Sequence, residues 1–488
     1  MSEIAAYLKI IFLALVVFYV CIQVALLISE VRSAERAADA VPRAFRDKVS
    51  LEEHRKAIDF TAEIVQSDAL NAFVGAAVAL LFTLGGGIEI LWAFMSLLFN
   101  QGVASQFVFV MLILFFLALV DLPFDWWRNF RISERYGMER TEAKSWLKKR
   151  IQTTFIGWVA DMPLVFALIL ILSLTSYFWW VVCFIACFAW YFWHEYLYPT
   201  YGVGFSKNLV ELSDCSLKER LALLLKELGY PKTKIYTCKR PVALSHSHAL
   251  FAQSGTATHL VLFRHTLELL TEEEILAVSA NAVSEVARWH RFARCAGFFV
   301  LSCAFWLGFA WLSEKGYFYD ALGIHHSIAL ANGAEIPGVL LAIVITAFPV
   351  ILYPVVFFVH TLTRTLEYDS DAYVVRTVGA IPLIRAIVKL HTDYRNSLTP
   401  NLLYSLANHR RPHITHRILA AEAEAEKLRN LAKKSREERV SDRQELFNNI
   451  LARREAENAN KVADLIEEKR EKLEESINLL NRKYTVES

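Results

Sequence analysis

Seven stretches of this chain are each long and apolar enough to cross a bilayer, and this limits its fold more than any other feature. They cover residues 10–28, 69–99, 107–127, 151–172, 177–198, 296–312 and 336–360. A spanning helix needs roughly 20 predominantly apolar residues, because about 30 Å of hydrocarbon is crossed at about 1.5 Å per residue. Hydrophobic residues make up 55% of the 488 and aromatics 13%, above the roughly 45–50% apolar content of soluble domains. A soluble globular enzyme is excluded. The expected fold is mainly α: a polytopic membrane protein with seven transmembrane helices forming a chamber, a small α/β insert, and a long charged C-terminal helix. The first stretch is too long for a signal-peptide core and has no small-residue cleavage site after it, so it reads as a retained anchor.

Charge and cysteine content narrow the function classes. Lys and Arg total 52 against 50 Asp and Glu, a net charge of +2, which gives no reason to expect nucleic acid as a partner. The seven cysteines include no C-x-x-C pair. Cys21, Cys183, Cys187, Cys295 and Cys303 lie in or beside apolar blocks, where cysteine behaves as a small hydrophobe, and no disulfide framework is expected.

The loops after the first, third and fifth apolar stretches are long and basic. The third carries Arg128, Arg131, Arg135, Arg140, Lys144, Lys148, Lys149 and Arg150. The other loops are short or nearly free of Lys and Arg. The positive-inside rule then puts the long loops and the C-terminus on the cytoplasmic or matrix side. Glu89, Asp121, Asp125, Asp161 and Glu195 fall within apolar stretches. Asp121, Asp125 and Glu195 lie at the ends, within reach of the interface. Glu89 and Asp161 lie deeper, where a charge facing lipid is costly, and are expected to face a polar chamber. The glycines at 85, 86 and 87 precede Glu89 and allow a kink or a close helix contact.

The chain divides into five parts: 1–203, the first five spans; 204–295, an insert; 296–360, spans six and seven; 361–420, a segment completing the site; and 421–488, a charged tail. In the insert, 217–228 has helical periodicity, and 234–238 and 259–263 read as short strands. Between them lies Ser245-His246-Ser247-His248-Ala249-Leu250-Phe251. Thr271 and Glu274 form a T-x-x-E capping box opening a helix whose apolar stripe is Ile275, Leu276, Val278 and Val283. The helix continues Asn281-Ala282-Val283-Ser284-Glu285.

This helix, and the order of segments around it, resembles the seven-span CaaX prenyl proteases, integral-membrane zinc metalloproteases of the gluzincin type. Residues 245–251, 260–263, 132–137, Glu367-Tyr368-Asp369-Ser370-Asp371-Ala372-Tyr373, and the segment from Asn408 to Arg417 each resemble family motifs in the family's order. The resemblance spans roughly 5–420. The family's zinc helix carries H-E-x-x-H, whose two imidazoles at i and i+4 hold the metal beside a general-base carboxylate. The resemblance puts the first His on Asn281, the base on Ala282 and the second His on Glu285. It puts the third zinc ligand on Glu367, Asp371 behind it, and the transition-state His on Asn408, with His409 next door.

Three readings of this site follow. In the first, zinc and catalysis are lost, since Asn281 is a poor zinc ligand and Ala282 cannot take a proton. In the second, Asn281, Glu285 and Glu367 hold a hard cation such as Mg²⁺ or Ca²⁺. In the third, His246, His248, His290 and His409 rebuild a zinc site. Without a cation, one carboxyl is protonated or a neighbour such as Arg288 pairs with Glu285. Serine catalysis has no G-x-S-x-G to support it.

From residue 421 the sequence is dense in charge and nearly free of aromatics. Val462, Ile466, Leu473 and Leu480 fit a loose a/d pattern interrupted by Lys469 and Ser476, and Glu468–Lys472 is an i,i+4 pair. It reads as a solvated helix or as a docking arm for another protein, and the family usually ends before it. The sequence therefore predicts a catalytically inactive relative serving as a structural or assembly subunit of a membrane complex. No cofactor is expected, zinc included; lipid or prenyl groups are the expected contents of the chamber, if any. The expected partners are membrane lipids and other subunits held through the tail. A protease with a rebuilt metal site, or a non-cleaving binder of prenylated peptides or lipid, is the alternative. The resemblance implies the endoplasmic reticulum or inner nuclear membrane, with the mitochondrial inner membrane as the alternative.

Overall fold

The computed structural model describes residues 3–100, 102–137, 142–174, 178–202, 209–213, 215–238, 249–254, 257–325, 330–331, 334–391 and 397–437. By internal contacts the chain forms two units, Met1–Glu422 and Ala423–Ser488. Among the described residues, six helical stretches are long and apolar enough to span a membrane: Glu3–Arg36, Leu51–Phe82, Val103–Arg135, Ala143–Leu174, Trp179–Leu197 and His290–Ser313. The chain is a mainly α, multi-pass membrane protein.

Two of the seven expected spans are broken, each for a backbone reason. The second, 69–99, divides into α2 (Leu51–Phe82), which follows α1 (Glu3–Arg36), and α3 (Gly87–Leu98). Between α2 and α3, Gly86 has φ +74°, and a Cβ on Gly85 would meet the Leu81 carbonyl oxygen at 2.6 Å. Only glycine tolerates this turn. The seventh, 336–360, divides into three helices. Pro337–Thr346 is followed by Phe348–Ile351 and then by Tyr353–Thr377, which runs well past the expected end. Pro349 and Pro354 lie in the first turns of the latter two, where the missing N–H and fixed φ are tolerated; inside one continuous helix each would remove a hydrogen bond.

The apolar core of the spanning region gathers Phe109, Ile113, Ile169, Trp179 and Phe309 around Val339–Ile343, where every residue is buried. Pro337–Thr346 is apolar all round because other helices surround it. The Gln106 side chain accepts a 2.8 Å hydrogen bond from the Gly338 N–H at its buried N-terminus. Helix α4 (Val103–Trp126) carries Asp125 near its end, where it pairs with Arg128 (2.6 Å) and with Arg150 (2.5 Å) of α5 (Ala143–Leu174). Asp121 accepts from Asn71 at 3.3 Å, Glu89 accepts the His325 N–H, and Asp161 is exposed. Helix α6 (Trp179–Phe192) runs into a π-helical segment, Trp193–Gly202, which carries His194 and Glu195.

The insert holds a four-stranded sheet of order β1-β2-β4-β3, from Leu209–Glu211, Lys234–Cys238, Ala249–Ser254 and Ala257–Phe263. Strands β2 and β4 are parallel, with Lys234 opposite His259 and Cys238 opposite Phe263. The two strands expected from the sequence are these two; β1 and β3 complete the sheet. Helix α7 (Ser216–Glu227) and α8 (Arg264–Leu269) flank it. Helix α9 (Glu272–Ala287) lies against β3, its Ile275, Ala282 and Val283 buried with Phe251, Leu260 and Leu262. Its capping box is formed: the Thr271 N–H donates to Glu274 at 2.8 Å. Trp289, at φ +56°, turns the chain from α9 into α10 (His290–Ser313), an uncommon conformation for a bulky residue. The last described helix is Ile414–Glu437. The a/d pattern at Val462–Leu480 lies outside the described residues.

Candidate functional site

The site is built by four elements. Helix α9 supplies Asn281, Ala282 and Glu285, and α10 supplies Arg291 and Arg294 from its first turns. Helix Tyr353–Thr377 supplies Glu367 and Asp371 one turn apart, and the start of Ile414–Glu437 supplies Arg417. They surround a cavity of about 640 Å³. Part of its lining is apolar, with Leu250, Val278, Leu383, Ile387 and Leu390, and part is charged.

Each carboxylate lining the cavity among the described residues has a guanidinium partner. Arg294 donates to both Glu285 oxygens, at 2.6 and 3.5 Å, and also to Glu195, which Arg410 approaches at 3.6 Å. Arg417 donates to both Asp371 oxygens, at 2.8 and 2.6 Å, and pairs with Glu367 at 3.2 Å. Asp371 is fully buried and accepts a long bond, 3.4 Å, from the Asn281 amide. Burial disfavours ionisation of Glu285, but Arg294, with Arg291 and His290, outweighs it and holds the carboxyl below its ordinary range. Burial also opposes the charge on Arg417, and Asp371 and Glu367 more than restore it, so its pKa is raised.

The expected site residues are partly brought together. Asn281, Ala282, Glu285, Glu367 and Arg417 line the cavity, and Asp371 lies behind Arg417. His290, Asn408 and His409 do not line it among the described residues. Asn408 bonds back to the Tyr404 carbonyl at 3.3 Å, and the His409 carbonyl accepts from Arg364 at 3.3 Å. His290 is buried between Asp369 (2.9 Å) and Ser370 (3.1 Å). His246 and His248 lie outside the described residues. The partner of Glu285 is Arg294 and not Arg288, which reaches Asp369 at 2.9 Å. The two differ because α10 turns back over α9 after Trp289 and carries Arg294 toward Glu285.

A Ser370–His290–Asp369 relay also forms, and motif reading did not find it. Ser370 is 2% exposed, does not line the cavity, and lies 2.8 Å from Ser284 of α9. A nucleophile there would meet no substrate. The relay is a polar clamp between α9, α10 and helix Tyr353–Thr377. Burial opposes ionisation of Asp369, but Arg288 and His290 outweigh it and hold the carboxyl low.

A model described as the CAAX prenyl protease N-terminal, five membrane helices, matches residues 30–203, and one described as peptidase family M48 matches 211–425. The chain belongs to the M48 family of CAAX prenyl proteases. CAAX prenyl protease 1 of Saccharomyces cerevisiae is 23% identical over 352 residues, covering 67% of this chain and 74% of the relative. The human CAAX prenyl protease 1 homolog is 21% identical over 390 residues, covering 70% and 80%. The crystal structure of S. mikatae Ste24p is 19% identical, with a TM-score of 0.66, covering 85% of this chain and 98% of that one. That likeness shows a shared chamber fold.

A CAAX protease of this fold implies zinc, and the donor set does not fit it. The helix presents an amide at 281, a methyl at 282 and a carboxylate at 285. Glu285 and Glu367 already have guanidinium partners in Arg294 and Arg417. Zinc sites of proteases use imidazole-rich sets with an open position. Among the described residues, no group of three His, Cys, Asp or Glu side chains is placed to share a metal ion. The hard-cation reading meets the same obstacle, because its two carboxylates would have to leave their arginines.

Proposed function

We propose that this chain is a catalytically inactive member of the CAAX prenyl protease family, kept as a structural or assembly subunit of a membrane complex. The observation that carries the reading is the pairing of Glu285 with Arg294 and of Glu367 with Arg417. Fixed cations stand beside the carboxylates at the ligand positions, and they tie α9, α10, helix Tyr353–Thr377 and the start of Ile414–Glu437 together. A guanidinium can neutralise and position a carboxylate, but it cannot supply an exchangeable site for attacking water. The methyl of Ala282 leaves no general base at the family's position. The charged tail beyond residue 421 supports docking to other subunits, membrane lipids are the other partners, and the family relatives favour an endoplasmic-reticulum-type membrane.

The test uses the full chain purified in mild detergent. Metal is measured by mass spectrometry, copurifying chains are identified in the same sample, and cleavage of a farnesylated peptide is assayed. No stoichiometric metal, no cleavage and a stoichiometric set of other membrane proteins are expected. One zinc per chain with peptide cleavage would overturn the proposal and restore the protease reading. Peptide binding without cleavage, in a chain that purifies alone, would replace assembly with sequestration.

A further inference from the structure

We infer that the cavity is a receptor for an oxyanion head group carried on an apolar chain, with Arg291 as its buried cation; this rests on the reading that no metal occupies the site. Arg291 is 7% exposed and lines the cavity. It donates 2.9 Å to the Phe251 carbonyl, and among the described residues no carboxylate lies within ion-pair distance of it. Glu195 and Glu285 are engaged by Arg294, and Glu367 by Arg417. A guanidinium has five N–H donors. Glu285 and Glu195 act on Arg291 through space without pairing with it, so its remaining donors are left for an anion in the cavity.

The cavity supplies the rest of such a site. Arg410, about half exposed and, among the described residues, paired with Glu195 at 3.6 Å, adds a second cation to the lining. Leu383, Ile387, Leu390 and Ile414 supply apolar lining in the same cavity. A volume of about 640 Å³ is within the range that encloses one small ligand, and too small for a whole phospholipid. The fitting chemistry is a carboxylate or phosphate, which a planar guanidinium grips through paired N–H bonds, on a short apolar chain. A fatty acid or the phosphate end of a lipid would each present it.

Isothermal titration of the full chain in nonionic detergent tests this with octanoate, octyl phosphate, octanol and octyltrimethylammonium. Saturable binding of one or both anions, without the alcohol or the cation, is expected. Binding of octanoate alone assigns a carboxylate ligand; binding of octyl phosphate alone assigns a phosphate. Arg291→Gln is expected to weaken binding at least about tenfold, and Arg291→Lys to recover part of it. Ile414→Trp, which fills the cavity without altering charge, is expected to abolish binding and decides the matter if Arg291→Gln does not fold. Equal binding of all four probes, or anion binding unchanged by Ile414→Trp, would overturn the inference. Metal content measured on the same sample separates the two readings. Zinc would sink the inactive reading whatever the anions do, and a metal-free chain that ignores both anions would sink only this one.

Discussion

Arg294 joins Glu285 to Glu195, two carboxylates 90 residues apart in sequence, through one guanidinium that is 12% exposed. It thereby ties α9 to the π-helical end of Trp179–Leu197, so the insert is anchored to a spanning helix by charge. Removing one member of such a pair leaves a poorly solvated charge behind. Arg294→Gln is expected to cost about 3 kcal/mol, at the low end for breaking a buried ion pair because Glu285 is still partly exposed. The midpoint of thermal unfolding in detergent reads this. Adding Glu285→Gln should recover part of the loss, and an unchanged midpoint in the single variant would show the pair contributes nothing.

Arg417 makes the sharper case, since Asp371 is fully buried and bound through both oxygens. Lysine keeps the charge and loses the fork. Arg417→Lys is therefore expected to destabilise by about 1–3 kcal/mol and Arg417→Met by about 3–5 kcal/mol. Equal midpoints for the two variants would argue that geometry does not matter there.

Acid should destabilise the chain in two separable steps. His413 is held neutral by burial and by the neighbouring His391 and His416, its pKa pushed down from 6.5 to about 3. Its folded pKa lies below its unfolded one, so the unfolded chain binds more protons between those values. Stability from this group is present above pH 6.5 and is lost as pH falls toward 3. Glu285 and Asp369 are also held low, and their contribution is lost only at lower pH, as each is protonated through its folded pKa. Unfolding midpoints measured from pH 8 down to about pH 2 check this. His413→Leu should flatten the upper part of the curve and leave the lower part, and a curve unchanged by that substitution would refute the assignment.

Restoring the family's residues at 281, 282 and 285 should not by itself restore a zinc site. Asn281→His, Ala282→Glu and Glu285→His together leave Arg294 without its Glu285 partner and close to the new imidazoles. The triple variant is expected to bind zinc at least about tenfold more weakly than the same variant carrying Arg294→Leu, because a fixed cation opposes a divalent one. Competition with a chromogenic chelator measures both, and equal affinities would show that Arg294 does not guard the site.

The N-terminus of α9 offers a control away from the cavity. Thr271→Ala removes one half of the capping box and should cost about 1 kcal/mol. Glu274→Gln also breaks the 2.7 Å pair with Lys389, whose Glu274 partner is 3% exposed, and should cost more. Unfolding midpoints of the two variants order the effects, and neither substitution should alter anion or metal binding.

The features written in local pattern were legible before any fold was known. Apolar runs located the spanning regions, Thr271 and Glu274 marked the start of α9, and β-branched runs located β2 and β4. The i,i+4 spacing of Asn281 and Glu285 was legible as one helix face, while Glu367 and Asp371 were legible only through the family resemblance. The glycines at 85–87 marked a kink that became a full break, whereas the breaks at Pro349 and Pro354 lay inside a run whose hydropathy does not change. The tertiary structure alone decided which cation meets which carboxylate. Helical spacing favours Arg288, three residues on, as the partner of Glu285, whereas in the fold the chain turns at Trp289 and Arg294 takes that place. Arg417 reaches Glu367 across 50 residues, and His290 is drawn to Asp369 across 79. Periodicity reports how a segment faces its immediate surroundings, whereas ion pairing depends on where distant helices cross, and no local spacing encodes that.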